Sequence, residues 1–436
     1  MKVPKTLKEL LSRRPKVIIY GGSALVGILS GLVVVAYRAA ISLLEKYREA
    51  SMDAILGSAV LLVAWLALAI AAGLLTATMT KRSPLIKGSG IPQVKALLMR
   101  KLAFDWKKEL PFKFIGGSLA LGAGLSLGRE GPSIQLGALV GDAVDSLTQK
   151  HDYRHYLVTA GAAAGISAAF NAPLAGVLFC IEELHKNFSP TMLTSTLIAS
   201  FCANAVMWLF FGSSAVFNIH LLQILPLRHY LSAVLMIGIA SGLLGSLFNS
   251  GLLAFQKGFG RLVPGESRRI VIAFAAAAVV SLFMASITGG GSQLVEMIAV
   301  PGIPLGTIGL LLAGKFVFTL FSYASGAPGG IFLPMLTIGA LIGAAAQVLL
   351  PEFGIEGDFL ANYILLGMTA FFVAVVRAPI TGAVLITEMA GSLGHFPAFI
   401  LVSVVAVLIS EFLGAEPIYD SLCDQLLSSR PKKSCP

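Results

Sequence analysis

The chain has 436 residues, 56% of them hydrophobic and only 12% charged, whereas soluble domains carry about a quarter charged residues. Together with a mean hydropathy of +0.85, this excludes a soluble globular protein and specifies an integral membrane protein. The net charge of +10 does not call for a nucleic-acid partner, because Lys and Arg sit mostly in short connections (Lys2 to Lys16, Lys81 to Lys87, Lys95 to Lys108, Arg268 and Arg269, Arg430 to Lys433). Positive-inside topology accounts for that pattern.

In chain order, Met1 to Arg14 is amphipathic and charged, and the apolar run behind it is too long for the h-region of a cleavable signal peptide. Residues 1–16 are therefore expected to form a basic cytoplasmic segment. Val17 to Val35, Ala59 to Leu75, Leu231 to Leu253, Ile270 to Met284 and Ala398 to Leu413 approach or reach the ~20 apolar residues of a membrane-crossing helix. An all-α polytopic membrane protein is the expected fold class. Between the spans, glycine or proline interrupts apolar segments too short to cross: Gly88 to Pro92, Gly128 to Pro132, Asn171 to Pro173 and Gly326 to Pro334. Backbone breaks at membrane depth are tolerated only where they are buried in protein or line a polar cavity, so they mark a site. Residues 424–436 are expected as a short basic cytoplasmic tail. Cys180, Cys202, Cys423 and Cys435 are scattered and form no C-x-x-C pair, so neither a disulfide framework nor a metal or other cofactor is expected.

The chain also repeats itself. "GREGPSIQLGALVG" from Gly128 matches "GIFLPMLTIGALIG" from Gly330 at an offset of 202 residues, and "GAAAGISAAFNAPLAGVLFCIEE" from Gly161 matches "GMTAFFVAVVRAPITGAVLITEM" from Gly367 at an offset of 206. Gly88-Ser89-Gly90 is echoed faintly by Gly289-Gly290-Gly291. Repeats over residues 17–212 and 229–423, joined by a linker at 213–228, follow. In transporters, broken helices at equivalent places in two repeats point to a binding site at the repeat interface, and inverted repeats would let opposing half-helices meet there.

In "GREGP" and "GIFLP" a proline is expected at the first helical position, where its missing N–H costs nothing. That leaves the amides of Arg129, Glu130 and Gly131, and of Gly330, Ile331, Phe332 and Leu333, free to point forward. Helix N-termini with free N–H groups attract anions, and amides rather than a full lysine charge suit an anion that must also be released. "GSGIPQ" at Gly88 to Gln93 adds the Ser89 hydroxyl.

The motifs "GSGIPQ", "GREGPSIQ", "FNAPLAGVLFCIEEL", "GAPGGIFLP" and "EPIYDSL" resemble, in order and over nearly the whole chain, the voltage-gated chloride channel family (CLC), which contains chloride channels and chloride/proton antiporters. The resemblance implies a homodimer in which each subunit has its own anion path between two inverted halves of tilted, broken helices. It implies that Ser89 and Tyr419 donate hydroxyls to a chloride, that the amides of Ile331 and Phe332 complete that site, and that the amides at Arg129, Glu130 and Gly131 line an outer one. Glu130, as a carboxylate among amides, would occupy an anion position itself and leave it when protonated, serving as gate and proton carrier. Glu183 matches the inner proton-transfer glutamate of antiporters. Glu182 has a repeat mate, Glu388, and is expected to be structural, whereas Glu183 faces Met389 in the comparison. Ser89 resembles the chloride-preferring form of the family, and "GREGP" keeps the glutamate that fluoride exporters replace. Gln93 stands where a glutamate is frequent. The tail after Tyr419 is expected to carry no cytoplasmic nucleotide-sensing domains.

The expected function is chloride/proton antiport in the cell inner membrane, with both termini cytoplasmic. A passive chloride channel is the nearest alternative. Two further motifs point elsewhere. "GLSLG" at Gly124 to Gly128 fits the G-x-S-x-G of serine hydrolases, but that motif needs a strand before Ser126 and a positioned histidine; no enzyme is expected. "NFS" at Asn187 fits a glycosylation sequon on the cytoplasmic side. An ion pair between Arg129 and Glu130 is the structural alternative for those two residues, and adjacent residues at a helix start are not expected to face one another.

Overall fold

A computed structural model describes residues 15–147, 153–186, 188–212 and 226–429. The basic N-terminal segment up to residue 14, most of the 213–228 linker, Asn187, Cys435 and the end of the basic tail lie outside the described residues. The apolar sequence folds, as expected, into helices joined by short breaks. The first half contributes α1 (Pro15–Leu56), α2 (Ala59–Arg82), α3 (Ile91–Leu98), α4 (Trp106–Gly122), α5 (Glu130–Leu147), α6 (Arg154–Phe170), α7 (Pro173–Phe179) and α8 (Pro190–Phe211). The second contributes α9 (Leu227–Leu262), α10 (Glu266–Phe283), α11 (Ser292–Ile298), α12 (Leu305–Ala324), α13 (Phe332–Leu349), α14 (Leu360–Val376), α15 (Pro379–Ala390), α16 (Phe396–Phe412) and α17 (Ile418–Ser428). All five expected spans lie on helices, and all four expected breaks fall between them.

Seven of the described helices are long and apolar enough to cross a membrane. At 42 residues, α1 is about 60 Å long, twice the hydrocarbon thickness, and tilt is how such a helix is accommodated. The short helix α3 begins inside the protein, with Ile91 to Leu97 buried.

The repeated glycines pack the core. In the first half α5 lies against α6, with Gly137 on the carbonyl of Gly161 and Gly141 on that of Leu157. In the second half α13 lies against α14 through the mates of those residues, Gly339 on Gly367 and Gly343 on Tyr363. None of the four has room for a Cβ, which is how small residues bring membrane helices into close contact.

Candidate functional site

The site is built on a turn that each half makes once. In the first half Lys113, buried on α4, donates from Nζ to the carbonyls of Ile86 (2.9 Å) and Gly88 (2.7 Å). In the second half Lys315, buried on α12, donates to Ile287 (3.1 Å) and Gly289 (2.7 Å). Each lysine thus ties down two carbonyls just before a short helix. Both turns finish on a glycine in the left-handed region, Gly90 at φ 94° and Gly291 at φ 104°, a conformation that L side chains resist. Gln135 and Thr337, themselves repeat mates, occupy the space a side chain would need. Gln135 Nε2 donates to Leu85 O at 2.8 Å, and Thr337 Oγ1 to Gly290 O at 3.2 Å. The sequence reading missed this lysine pair, although their spacing is the same 202 residues as the glycine motifs.

The two halves meet at equivalent residues. Gly128 N–H donates to Gly330 O at 2.6 Å, and Gly330 N–H to Gly128 O at 2.7 Å, as an antiparallel bridge. Gly329 N–H donates to Gly88 O at 2.9 Å. Homologous segments therefore run in opposite directions through the centre of the protein, and α5 and α13 start back to back from that bridge. This is the inverted-repeat architecture expected for the fold.

Two details of the expected amide array change. The prolines stand at the third helical position, since α5 starts at Glu130 and α13 at Phe332. Every N–H in a first turn lacks an intrahelical partner, so proline is tolerated there as well as at the first position. The Gly330 amide is not free, because it makes the bridge to Gly128. The first amides returned to the backbone are those of Ser133, to Arg129 O, and of Met335, to Ile331 O. The N–H groups of Ile331 and Phe332 donate to no backbone carbonyl among the described residues.

Glu130 lies at this junction and is 1% exposed. Its carboxylate faces its own N–H and that of Leu333. Oε2 abuts Gly128, where a side chain would collide with it, and has no hydrogen-bond partner among the described residues. Arg129 Nε lies 3.9 Å from Glu130 Oε1. This corrects the expectation that the two do not face one another. Arg129 precedes the helix, so helical periodicity does not govern where its side chain points. The contact is long for an ion pair, and Arg129 Nε has no hydrogen-bond partner. Tyr37 on α1, another residue that sequence reasoning did not single out, is fully buried with an unpartnered hydroxyl, within electrostatic reach of Glu130.

Ser89 sits immediately before α3 and packs against Gly131, where any Cβ would clash with it. Its Oγ accepts from the Ile91 N–H at 3.1 Å. Tyr323 on α12 places its hydroxyl against Ser89. Tyr419, at the start of α17, is completely buried and its hydroxyl has no partner; Glu130, Glu183 and Tyr323 all lie within its electrostatic reach. The Phe332 side chain is held in an aromatic cluster with Phe170, Phe372 and Phe179 (ring centroids 4.8, 4.6 and 6.1 Å), and Phe179 meets Tyr419 edge-on at 6.4 Å. The cluster fixes the backbone of Phe332 and leaves its amide in place. A point that is buried, rich in unpaired N–H and O–H donors, and adjoined by a lone carboxylate favours a small negative charge.

The adjacent glutamates divide. Glu182 accepts from the amides of Ile380 (3.2 Å) and Thr381 (2.8 Å) at the start of α15. Glu388 accepts from Leu174 (3.0 Å) and Ala175 (2.8 Å) at the start of α7. The repeat mates cap each other's half, the structural role expected of them. Glu183 faces away from this exchange and is 2% exposed; its Oε1 accepts from Lys95 Nζ at 2.8 Å. Ser126 of the G-x-S-x-G match follows the end of α4, with its hydroxyl shared with Thr319 Oγ1 at 2.8 Å. That is a helix-to-helix turn, not the strand-to-helix elbow the hydrolase motif requires. Among the described residues no three His, Cys, Asp or Glu side chains gather as a metal would need.

Two inverted halves, broken helices meeting at the centre and a carboxylate among free amides define a polytopic membrane protein built around one buried polar site. Residues 68–411 match the family model described as "Voltage gated chloride channel", and the chain belongs to that family. It is 36% identical over 424 residues to the "H(+)/Cl(-) exchange transporter ClcA" of Vibrio cholerae serotype O1, covering 94% of this chain and 89% of that one. It is 35% identical to the protein of the same name from Salmonella agona, over 94% and 88% of the two chains. Among solved structures it resembles a slow cyanobacterial Cl-/H+ antiporter (TM-score 0.86, 30% identity, 94% of this chain and 98% of that one). The fold is also that of a CLC-type fluoride/proton antiporter (TM-score 0.78, 24% identity, 95% and 98%).

Proposed function

We propose that this protein exchanges chloride for protons across the cell inner membrane. The observation that carries the reading is Glu130: a buried carboxylate at the bridge between the halves, facing amides, with one oxygen unpartnered. As a carboxylate it takes the place of an anion at that helix start. Once protonated it loses its attraction to the amides, swings out, and a chloride replaces it, so that one residue couples the two ions. Ser89 and Tyr419 supply hydroxyl donors to a second chloride, and the amides of Ile331 and Phe332 close that site. The amides at Arg129, Glu130 and Gly131 form the outer one. Glu183 passes protons between Glu130 and the cytoplasmic solution. Exchangers among the relatives, by their printed names, support this direction of coupling.

The working unit is a homodimer, each subunit with its own path. The exposed Val60, Leu209, Phe210 and Phe412 face lipid or the second subunit, and both termini are cytoplasmic. Proteoliposomes test the function. An imposed chloride gradient is expected to drive uphill proton movement in the native protein and none in Glu130→Gln, in which chloride flux persists. Chloride flux without proton movement in the native protein would overturn the reading.

A further inference from the structure

Glu183 shares its partner. The ammonium of Lys95 that bonds Glu183 also bonds Asp420, and Asp420 Oδ2 accepts from Lys186 Nζ at 2.6 Å. Lys95 is 6% exposed, while Lys186 reaches the surface. The positions of the partners matter. Lys95 lies on α3, the helix that Ser89 introduces, and Asp420 directly follows Tyr419 on α17. A single buried ammonium therefore links the helix behind one hydroxyl, the helix carrying the other, and the turn that bears Glu183.

Nothing in the scaffold demands a lysine there. Gly90 and Gly291 align at an offset of 201, which makes Glu296 the mate of Lys95, and Glu296 is exposed on α11. The other charged or titratable groups around the cluster are Cys423 near Lys95, with Lys101 and Asp424 near Cys423, Lys186 near Glu183, and Tyr323 and Glu130 behind Tyr419. A hydrogen bond between ionised groups is about twice as strong as one between neutral groups. When Glu183 gains a proton, its hold on the ammonium weakens, and Asp420 remains as the only full counter-charge Lys95 touches.

We propose that Lys95 is a positioning residue that transmits the protonation of Glu183 to the Ser89 and Tyr419 hydroxyls. With Glu183 ionised, Lys95 is divided between two carboxylates and α17 is held loosely against α3. With Glu183 protonated, Lys95 belongs to Asp420, α17 is drawn onto α3, and Tyr419 is fixed beside Ser89. Chloride is then gripped more tightly in the protonated state, and by linkage bound chloride favours that proton.

The inference rests on the chloride/proton reading, and a double-mutant cycle separates the two. Chloride affinity is measured by titration calorimetry with potassium chloride in detergent for the native protein, Glu183→Gln, Asp420→Asn and the double variant. Glu183→Gln is expected to tighten chloride about threefold in the native background, and to leave it unchanged in the Asp420→Asn background, the size of coupling usual for groups in one network. Asp420 is 30% exposed and its replacement keeps the buried Lys95 to Glu183 pair, so the fold is retained. Lys95→Arg is expected to preserve the threefold effect and Lys95→Gln to abolish it. An equal shift in both Asp420 backgrounds means that the Glu183 charge acts on chloride directly, and overturns the proposal. A native protein that binds no chloride brings down the functional reading as well, whereas native exchange with additive mutants sinks only the role of Lys95.

Discussion

The same scaffold exists twice in this protein, and only one copy carries charges at the bridge where the halves meet. In that scaffold the two halves match position for position: Lys113 and Lys315 clamp carbonyls, Gly90 and Gly291 take left-handed conformations, Gln135 and Thr337 fill the gap, and Glu182 and Glu388 cap each other's helices. They part at the bridge, with Arg129 and Glu130 opposite Ile331 and Phe332, and after α7, with Glu183 opposite Met389. Polar residues that come in repeat pairs satisfy the backbone of the fold. Buried charges without a polar mate have no such duty, and this is where chemistry is to be sought.

Removing the carboxylate that the first half alone carries breaks the comparison most severely. Glu130→Ile is expected to lower chloride-driven proton transport at least about 100-fold, the scale of a lost proton-transfer group, while chloride flux continues and no longer varies with pH. Retained proton pumping would show that the bridge position is scaffold in both halves. Next come the paired lysines. Lys315→Met strands two buried carbonyls, at a cost of about 2 to 4 kcal/mol, whereas after Lys113→Met the Gly88 carbonyl keeps the Gly329 N–H; Lys315→Met is therefore expected to lower the thermal midpoint in detergent more. The reverse order would mean that Lys113 does more than hold its turn. Tyr419→Phe removes one hydroxyl donor without changing the packing against Phe179; chloride affinity by calorimetry is expected to fall about fivefold, the worth of one hydrogen bond.

The repeated glycines and prolines were legible because they are written where backbone geometry leaves little choice: a left-handed turn or a helix crossing with no room for a Cβ admits few residues. The same holds for Glu182 and Glu388, whose matching positions foretold a matching role. Lys113 and Lys315 were legible in principle, since a lone lysine recurring at the motif offset within an apolar stretch is the same kind of signal. The cluster of Lys95, Glu183 and Asp420 was not. Its members come from three segments, with Lys95 and Asp420 separated by 325 residues, and only the folding of α17 back onto α3 brings them together. The approach of Arg129 to Glu130 was hidden for a local reason, because it depends on α5 starting at Glu130 rather than at Pro132.

The smallest effect is the one that sharpens the comparison most finely. Glu182→Gln and Glu388→Gln each keep an acceptor for one capped amide, turn an NH2 toward the other and remove a negative charge from a helix start, together worth about 1 kcal/mol. If the pair is purely structural, both variants lower the thermal midpoint by the same small amount, about two degrees or less, since a kcal/mol is worth roughly 2–4 °C in chains of 150–250 residues and less in longer ones, and both keep native proton-to-chloride coupling. Glu182 precedes Glu183 in the chain, so a coupling change confined to Glu182→Gln would show that the capping carboxylate also steers its neighbour. Glu388, with Met389 beside it, is the control the repeat supplies.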